Sequence, residues 1–155
     1  MKQTNLTILE NARMADGIYR LRLAGDTSAI TAPGQFVNLK LSGFFLRRPI
    51  SVCDWSDGEL TLIYKVLGHG TEAMTGMAPG TELDVLTGLG NGFDLSRSGE
   101  HPLLEGGGVG IPPLYGLAKR LTAQGKRVTA VLGFNRKSEI FLAEEFRALG
   151  AEVVI

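Results

Sequence analysis

A single cysteine, Cys53, is all the thiol chemistry this chain has. That excludes an internal disulfide and any all-cysteine metal or iron–sulfur site built by these residues alone. Net charge is missing too: Lys and Arg number 16, as do Asp and Glu, in 155 residues. The balance removes the electrostatic footprint that nucleic acid or an anionic lipid surface demands. No apolar run approaches the ~20 residues of a membrane span, and no leader with charged, apolar and small-residue zones opens the chain. These absences predict a soluble, cytoplasmic protein with neither nucleic acid nor membrane as a partner. No internal repeat or low-complexity tract is visible. What the chain has in excess is glycine, 21 residues, and they are clustered.

The first two thirds read as short strands between turn signals. Alternating segments cover Thr4–Asn11, Gly17–Leu23, Gln35–Leu41, Leu46–Cys53, Glu59–Leu67 and Thr81–Leu86. Pro33-Gly34 marks one turn, and Asp57-Gly58 between two apolar runs is a hairpin signal. Thr71–Met77 predicts one or two helical turns with Thr71 as N-cap. Six short strands at this spacing predict a small antiparallel barrel. After residue 98 the rhythm changes to β-α-β-α-β: strand Pro102–Glu105, helix Ile111–Ala123 with Gly125 as its stop, strand Lys126–Gly133, helix Lys137–Leu149, strand Ala151–Ile155. Short loops in that order imply parallel strands joined by right-handed crossovers. The expected organisation is an all-β antiparallel Greek-key barrel over 1–98, then a partial α/β unit over 99–155. Such a unit is half of a Rossmann-like domain, which normally pairs two βαβαβ halves. Stopping after one half leaves a sheet edge to be covered by another chain or by a second copy.

One stretch resists a purely structural account. In 46-LRRPISVCDWSDGEL-60 two arginines, a proline and a serine interrupt the apolar alternation. A strand gains little from adjacent positive charges, so an anionic ligand is the first candidate. Arginines that guard an exposed edge are the competing reading.

Four motifs then occur in order: Arg48-Pro49-Ile50-Ser51; Tyr64-Lys65-Val66 leading to Gly70-Thr71; Gly88-Leu89-Gly90-Asn91-Gly92-Phe93; and Gly106-Gly107-Gly108-Val109-Gly110-Ile111-Pro112-Pro113. The set resembles the ferredoxin reductase-like flavoprotein superfamily, and within it the family of electron transfer subunits of B-type dihydroorotate dehydrogenase. The resemblance runs from near the N-terminus to Ile155. It implies that the barrel binds FAD. Arg48 would hold the pyrophosphate, for which a planar five-donor guanidinium suits bidentate contacts. Ser51 would hydrogen-bond near the flavin, and Ile50 would cover the ring where many relatives place a tyrosine. Pro49 lacks a backbone donor and belongs at an edge or bulge, where a ligand can approach. Ile63, Tyr64 and Lys65 would line the flavin side of the next strand. Gly70 and Thr71 would offer free N–H groups at a helix start as a second phosphate contact.

The glycines at 106–110 follow a strand and open a helix, as a dinucleotide turn requires. With Pro113 in the third glycine position they match the superfamily's Gly-x-Gly-x-x-Pro turn, so Gly107, Gly108 and Gly110 are assigned to NAD, in a site this chain supplies only in part. Gly88–Phe93 is either a linker or a special loop beside the flavin. Glu105 is expected to pair with Arg136 or with a partner chain, Arg136 itself reads as a solvated loop residue, and His69 as a solvated one without a catalytic companion. Cys53 reads as inert core.

By resemblance, reducing equivalents from dihydroorotate would leave an FMN-containing catalytic subunit, cross a [2Fe–2S] cluster and FAD, and reduce NAD⁺ in pyrimidine biosynthesis. The chain has no ligands for that cluster. No side chain is assigned as acid or base, because the cofactors carry the redox chemistry. The alternatives are another ferredoxin–NAD(P) reductase-like protein or hydrogenase-associated diaphorase subunit, or an inactive truncated fragment that forms a homodimer through its open sheet edge.

Overall fold

The computed structural model describes all residues 1–155. Six strands close into an antiparallel barrel: β1 (Lys2–Ala15), β2 (Ile18–Ala24), β3 (Phe36–Leu39), β4 (Arg48–Ser56), β5 (Glu59–Lys65) and β6 (Glu82–Leu89), in the order β1-β2-β5-β4-β3-β6. Alternation drives closure. On β5, Leu60, Leu62 and Tyr64 point into a core with Leu6, Leu21, Leu23, Val37, Leu39, Val52 and Val85. The intervening Ile63 faces outward, into a different core. A closed barrel leaves no unpaired edge, with one local exception. Strands β4 and β5 are paired only over Val52–Ser56, with a bulge between Val52 and Asp54. Upstream of it, Arg48–Ser51 pairs with β3 alone. Pro49 therefore sits where one side of its strand has no partner, the position its missing N–H tolerates.

Three parallel strands follow: β7 (Leu103–Gly107), β8 (Thr129–Gly133) and β9 (Glu152–Val154), in that order across the sheet. Helix α2 (Pro112–Ala123) connects the first pair, and Gly125, at φ +80°, ends it. The expected long helix over 137–149 is a single 3₁₀ turn at Lys137–Glu139 and a short α3 (Ala143–Ala148). The cause is Leu142, whose φ of +64° cannot continue a helix. Ile140, Phe141 and Leu142 are an apolar run rather than a stripe, and Phe141 and Leu142 both go into the core. The first helix, α1, also begins earlier than expected, at His69–Met74 with Gly68 as N-cap. Thr71 lies in its first turn, where its hydroxyl accepts from the backbone N–H groups of Leu67 (2.9 Å) and Gly68 (3.2 Å).

Barrel and α/β unit share one core. Ile18, Cys53 and Ile63 from the barrel pack with Leu114, Leu117, Leu121, Leu132 and Phe146. Helix α2 lies on β4: Arg120 stacks on the Trp55 ring at 3.7 Å, and Lys119 pairs with Asp54 at 2.7 Å. Gly116 makes the approach possible, since a Cβ there would stand 2.9 Å from the Cys53 carbonyl oxygen. Replacing Gly116 by Val should therefore destabilise the chain by about 1–3 kcal/mol, read as a lower midpoint in urea. Cys53 is 2% exposed, and burial pushes its thiol pKa well up, as befits core packing rather than reactivity.

Candidate functional site

The gap left where β4 and β5 part is a cavity of about 210 Å³. It is lined by Arg48, Pro49, Ile50 and Ser51 from β4, by Ile63, Tyr64 and Lys65 from β5, and by Leu67, Thr71 and Val109. Two motifs separated by a hairpin thus meet across one opening. A second cavity, of about 510 Å³, continues from it past Arg48, Leu67 and Thr71 to Phe44, Gly68, His69 and Gly70. A third, of about 540 Å³, opens on the other side, sharing Lys65, Leu67 and Val109 and reaching Gly107, Gly108, Gly133, Phe134, Asn135 and Glu139. Together they form an elongated trough from the barrel to the ends of β7 and β8, where ligands of open parallel sheets bind.

The two adjacent arginines do different things. Arg47 is tied to protein: its guanidinium meets the Asp84 carboxylate at 3.0 Å and the carbonyls of Asn38 and Asp84 at 3.3 and 3.2 Å. It braces β3 against β6. Arg48 has no carboxylate partner. Its guanidinium lies over the Phe44 ring at 5.1 Å, donates to the Leu46 carbonyl, and leans across α1. At Gly70 a Cβ would fall 2.3 Å from the Arg48 Nε, so only glycine lets the guanidinium rest there. The N–H groups of His69, Gly70 and Thr71, in the first turn, have no acceptor within their own helix. A cation without a counter-ion, beside open N–H groups and on the wall of a cavity, is a cradle for an anion.

At the β7 end the glycines divide their tasks. Gly107 and Gly108 line the third cavity, with Gly108 at φ +52°. Gly110 lies outside all three, exposed in the turn. The constraint of close packing falls instead on Gly106, where a Cβ would meet Leu114 at 2.7 Å and the Gly110 carbonyl oxygen at 3.2 Å. Gly88–Phe93 lines none of the three cavities. Gly88 and Gly92 abut Ala29 and Ala32, and the Phe93 N–H bonds to Pro33, so the loop secures the 29–34 turn rather than lying beside the β4–β5 opening. Glu105 is exposed and makes no ion pair, with Arg136 or any other residue. His69 is solvated, 3.9 Å from Glu72.

Sequence reading missed Phe44, Leu67, Val109, Phe134, Asn135 and Glu139 as cavity residues. Glu139 had a legible counterpart: a ribose-binding acid is expected at the end of the second strand of a dinucleotide fold, and none stands there. The 3₁₀ turn beyond β8 brings Glu139 to the cavity instead, with its carboxylate free of hydrogen bonds and ion pairs within the protein. No group of three or more His, Cys, Asp or Glu side chains comes together anywhere in the fold. With one cysteine, buried in the shared core, these residues do not fit an iron–sulfur cluster.

A six-stranded barrel packed on a parallel sheet, with a trough from the strand gap to the glycine turn, is the fold of ferredoxin reductase-like proteins. Among solved structures, an NADH-dependent reduced ferredoxin–NADP oxidoreductase superposes with a TM-score of 0.86 at 30% identity, over 96% of this chain and 55% of that one. The Amycolatopsis cytochrome P450 reductase matches it in fold, with a TM-score of 0.86 at 24% identity over 98% and 51% of the two chains. By sequence the chain is a relative of the dihydroorotate dehydrogenase B (NAD⁺) electron transfer subunits: it is 44% identical to that of Bacillus pumilus over 97% of its own length and 61% of the relative's. It thus spans about three fifths of the curated relatives it matches. No family model matches the chain.

Proposed function

We propose that this chain carries the FAD site, and the adjoining half of a nicotinamide site, of a flavoprotein electron transfer subunit. In that role residues 1–98 hold the flavin, and residues 99–155 begin the NAD-binding domain. The electrons would come from dihydroorotate oxidation in an FMN-containing partner subunit and pass to NAD⁺ in pyrimidine biosynthesis. One observation carries the reading: Arg48, Pro49, Ile50, Ser51, Ile63, Tyr64, Lys65 and Thr71, from three separate elements, line a single cavity beside an unpaired guanidinium.

The residues fit the group. Arg48 would hold the diphosphate, together with the first-turn N–H groups around Gly70 and Thr71 that lie beside its guanidinium. Ile50, Ile63 and Val109 would give the ring apolar walls and exclude water, and the Ser51 hydroxyl would offer it a hydrogen bond. Lys65, shared by the first and third cavities, would hold a positive charge between the flavin and nicotinamide sites. FAD, when bound, supplies the exchange between single electrons and hydride. The protein supplies position and field, and no side chain serves as acid or base. The iron–sulfur step lies outside what these residues can hold. The outer edge of β7 has no strand beside it, which leaves room for a further strand from a partner or from a second copy.

The test is the spectrum of the protein saturated with FAD. Flavin bands perturbed from those of free FAD, at one equivalent per chain, are expected; an unperturbed spectrum at all concentrations would overturn the reading. A further expectation concerns Glu139. Its carboxylate accepts hydrogen bonds from a ribose diol and repels a 2′-phosphate, so the chain should prefer NADH to NADPH. Glu139→Ser should reduce that preference about tenfold or more, measured as the ratio of dissociation constants.

A further inference from the structure

The diphosphate cradle needs α1 to stay where it is, yet α1 has six residues and, Gly70 aside, one buried residue, Met74. A helix that short is not stable by itself. Its last carbonyls also need partners. The N–H groups of Thr75, Gly76 and Met77 close the last turn onto the Glu72, Ala73 and Met74 carbonyls, and one side chain from a distant strand adds a second tie at its end. The Asn11 carboxamide, on β1, donates to the Met74 carbonyl at 2.7 Å and to the Met77 carbonyl at 3.1 Å. Its oxygen accepts from the Tyr64 hydroxyl at 2.9 Å. Tyr64 is 2% exposed, stacked on Tyr19 with ring centroids 5.6 Å apart, and lines the cavity beside Arg48. Burial pushes its pKa up to about 12, so the hydroxyl stays a donor and fixes which face of the carboxamide points at α1.

We infer that Asn11 is a positioning residue for the diphosphate subsite: through Tyr64 it couples the cavity wall to α1 and keeps Gly70 and Thr71 facing Arg48. The inference rests on the proposed FAD site. Asn11 itself lines none of the three cavities. Its loss should release the end of α1, let the first turn drift from the Arg48 guanidinium, and weaken only ligands that carry phosphate. A residue that merely stabilised the barrel would weaken binding of every flavin alike.

The experiment compares Asn11→Leu with wild type. Leucine keeps the shape and charge but removes both donors and the acceptor. Tyr64→Phe is the milder companion: it keeps the ring and removes only the hydroxyl that orients the carboxamide. FAD and riboflavin are titrated into each, and amide exchange is followed over residues 67–80. For Asn11→Leu the expected result is about tenfold weaker FAD binding, riboflavin binding within about twofold of wild type, and faster exchange across α1. Tyr64→Phe should shift FAD in the same direction by less. Equal losses for FAD and riboflavin, or unchanged FAD affinity, would overturn the inference while leaving the FAD site standing. Wild type that binds neither flavin would remove the site, and the positioning role with it; accelerated exchange in Asn11→Leu would then remain as evidence for the brace alone.

Discussion

Arg48→Ala should lose FAD affinity by about 100-fold, while Arg47→Ala, one residue away, should leave it unchanged. The contrast follows from partners. Arg48 offers a phosphate two charge-assisted hydrogen bonds and gives up no ion pair to do so. Such bonds contribute roughly 1.5–3 kcal/mol each, and a loss of about 3 kcal/mol is ~100-fold in a dissociation constant. Arg47 is committed to Asp84 and two carbonyls between β3 and β6. Its removal should instead lower the melting temperature by about 2–4 °C, the shift that ~1 kcal/mol produces in a chain of this size. Flavin titrations and thermal melts on the two variants give a crossed pattern. Matching losses of affinity in both would mean that local positive charge matters, not the geometry of position 48.

Phe146→Ala should have the largest effect on stability, about 3–5 kcal/mol. Phe146 is fully buried on α3, edge-on to Tyr115 with centroids 5.5 Å apart. Chains of this kind have ~5–15 kcal/mol in all, so the variant would sit near the edge of folding at 37 °C. Its core also contains Ile18, Cys53 and Ile63 of the barrel. Chemical denaturation should accordingly show one transition at a lower midpoint, reported alike by Trp55 fluorescence and by circular dichroism. Two separated transitions would mean that the barrel and α/β unit stand independently, and the trough between them would then not be a fixed site.

The sequence carried much of this because the barrel and sheet depend on local signals. Alternation located all six barrel strands, and turn pairs such as Asp57-Gly58 set the hairpin. Gly106–Gly110 announced the strand-to-helix turn. What stayed hidden depends on long-range pairing. That β4 and β5 separate at the Val52 bulge cannot be read from either strand, although Pro49 marks the place in retrospect. Glu139 escaped because Leu142 breaks the expected helix at φ +64° and a 3₁₀ turn takes its place. The motif resemblance singled out Arg48 for the pyrophosphate, but what Arg47 does could not be read without knowing that Asp84 lies beside it. Asn11 gave no signal at all, since its three partners lie 53 to 66 residues away.

If the trough recognises a flavin by its diphosphate, calorimetric titration of the wild-type chain with FAD, FMN and riboflavin will separate the three. Affinity should fall in that order, and the advantage of FAD over riboflavin should shrink as salt rises, since ionic contacts are screened. Equal affinities for all three, independent of salt, would contradict it.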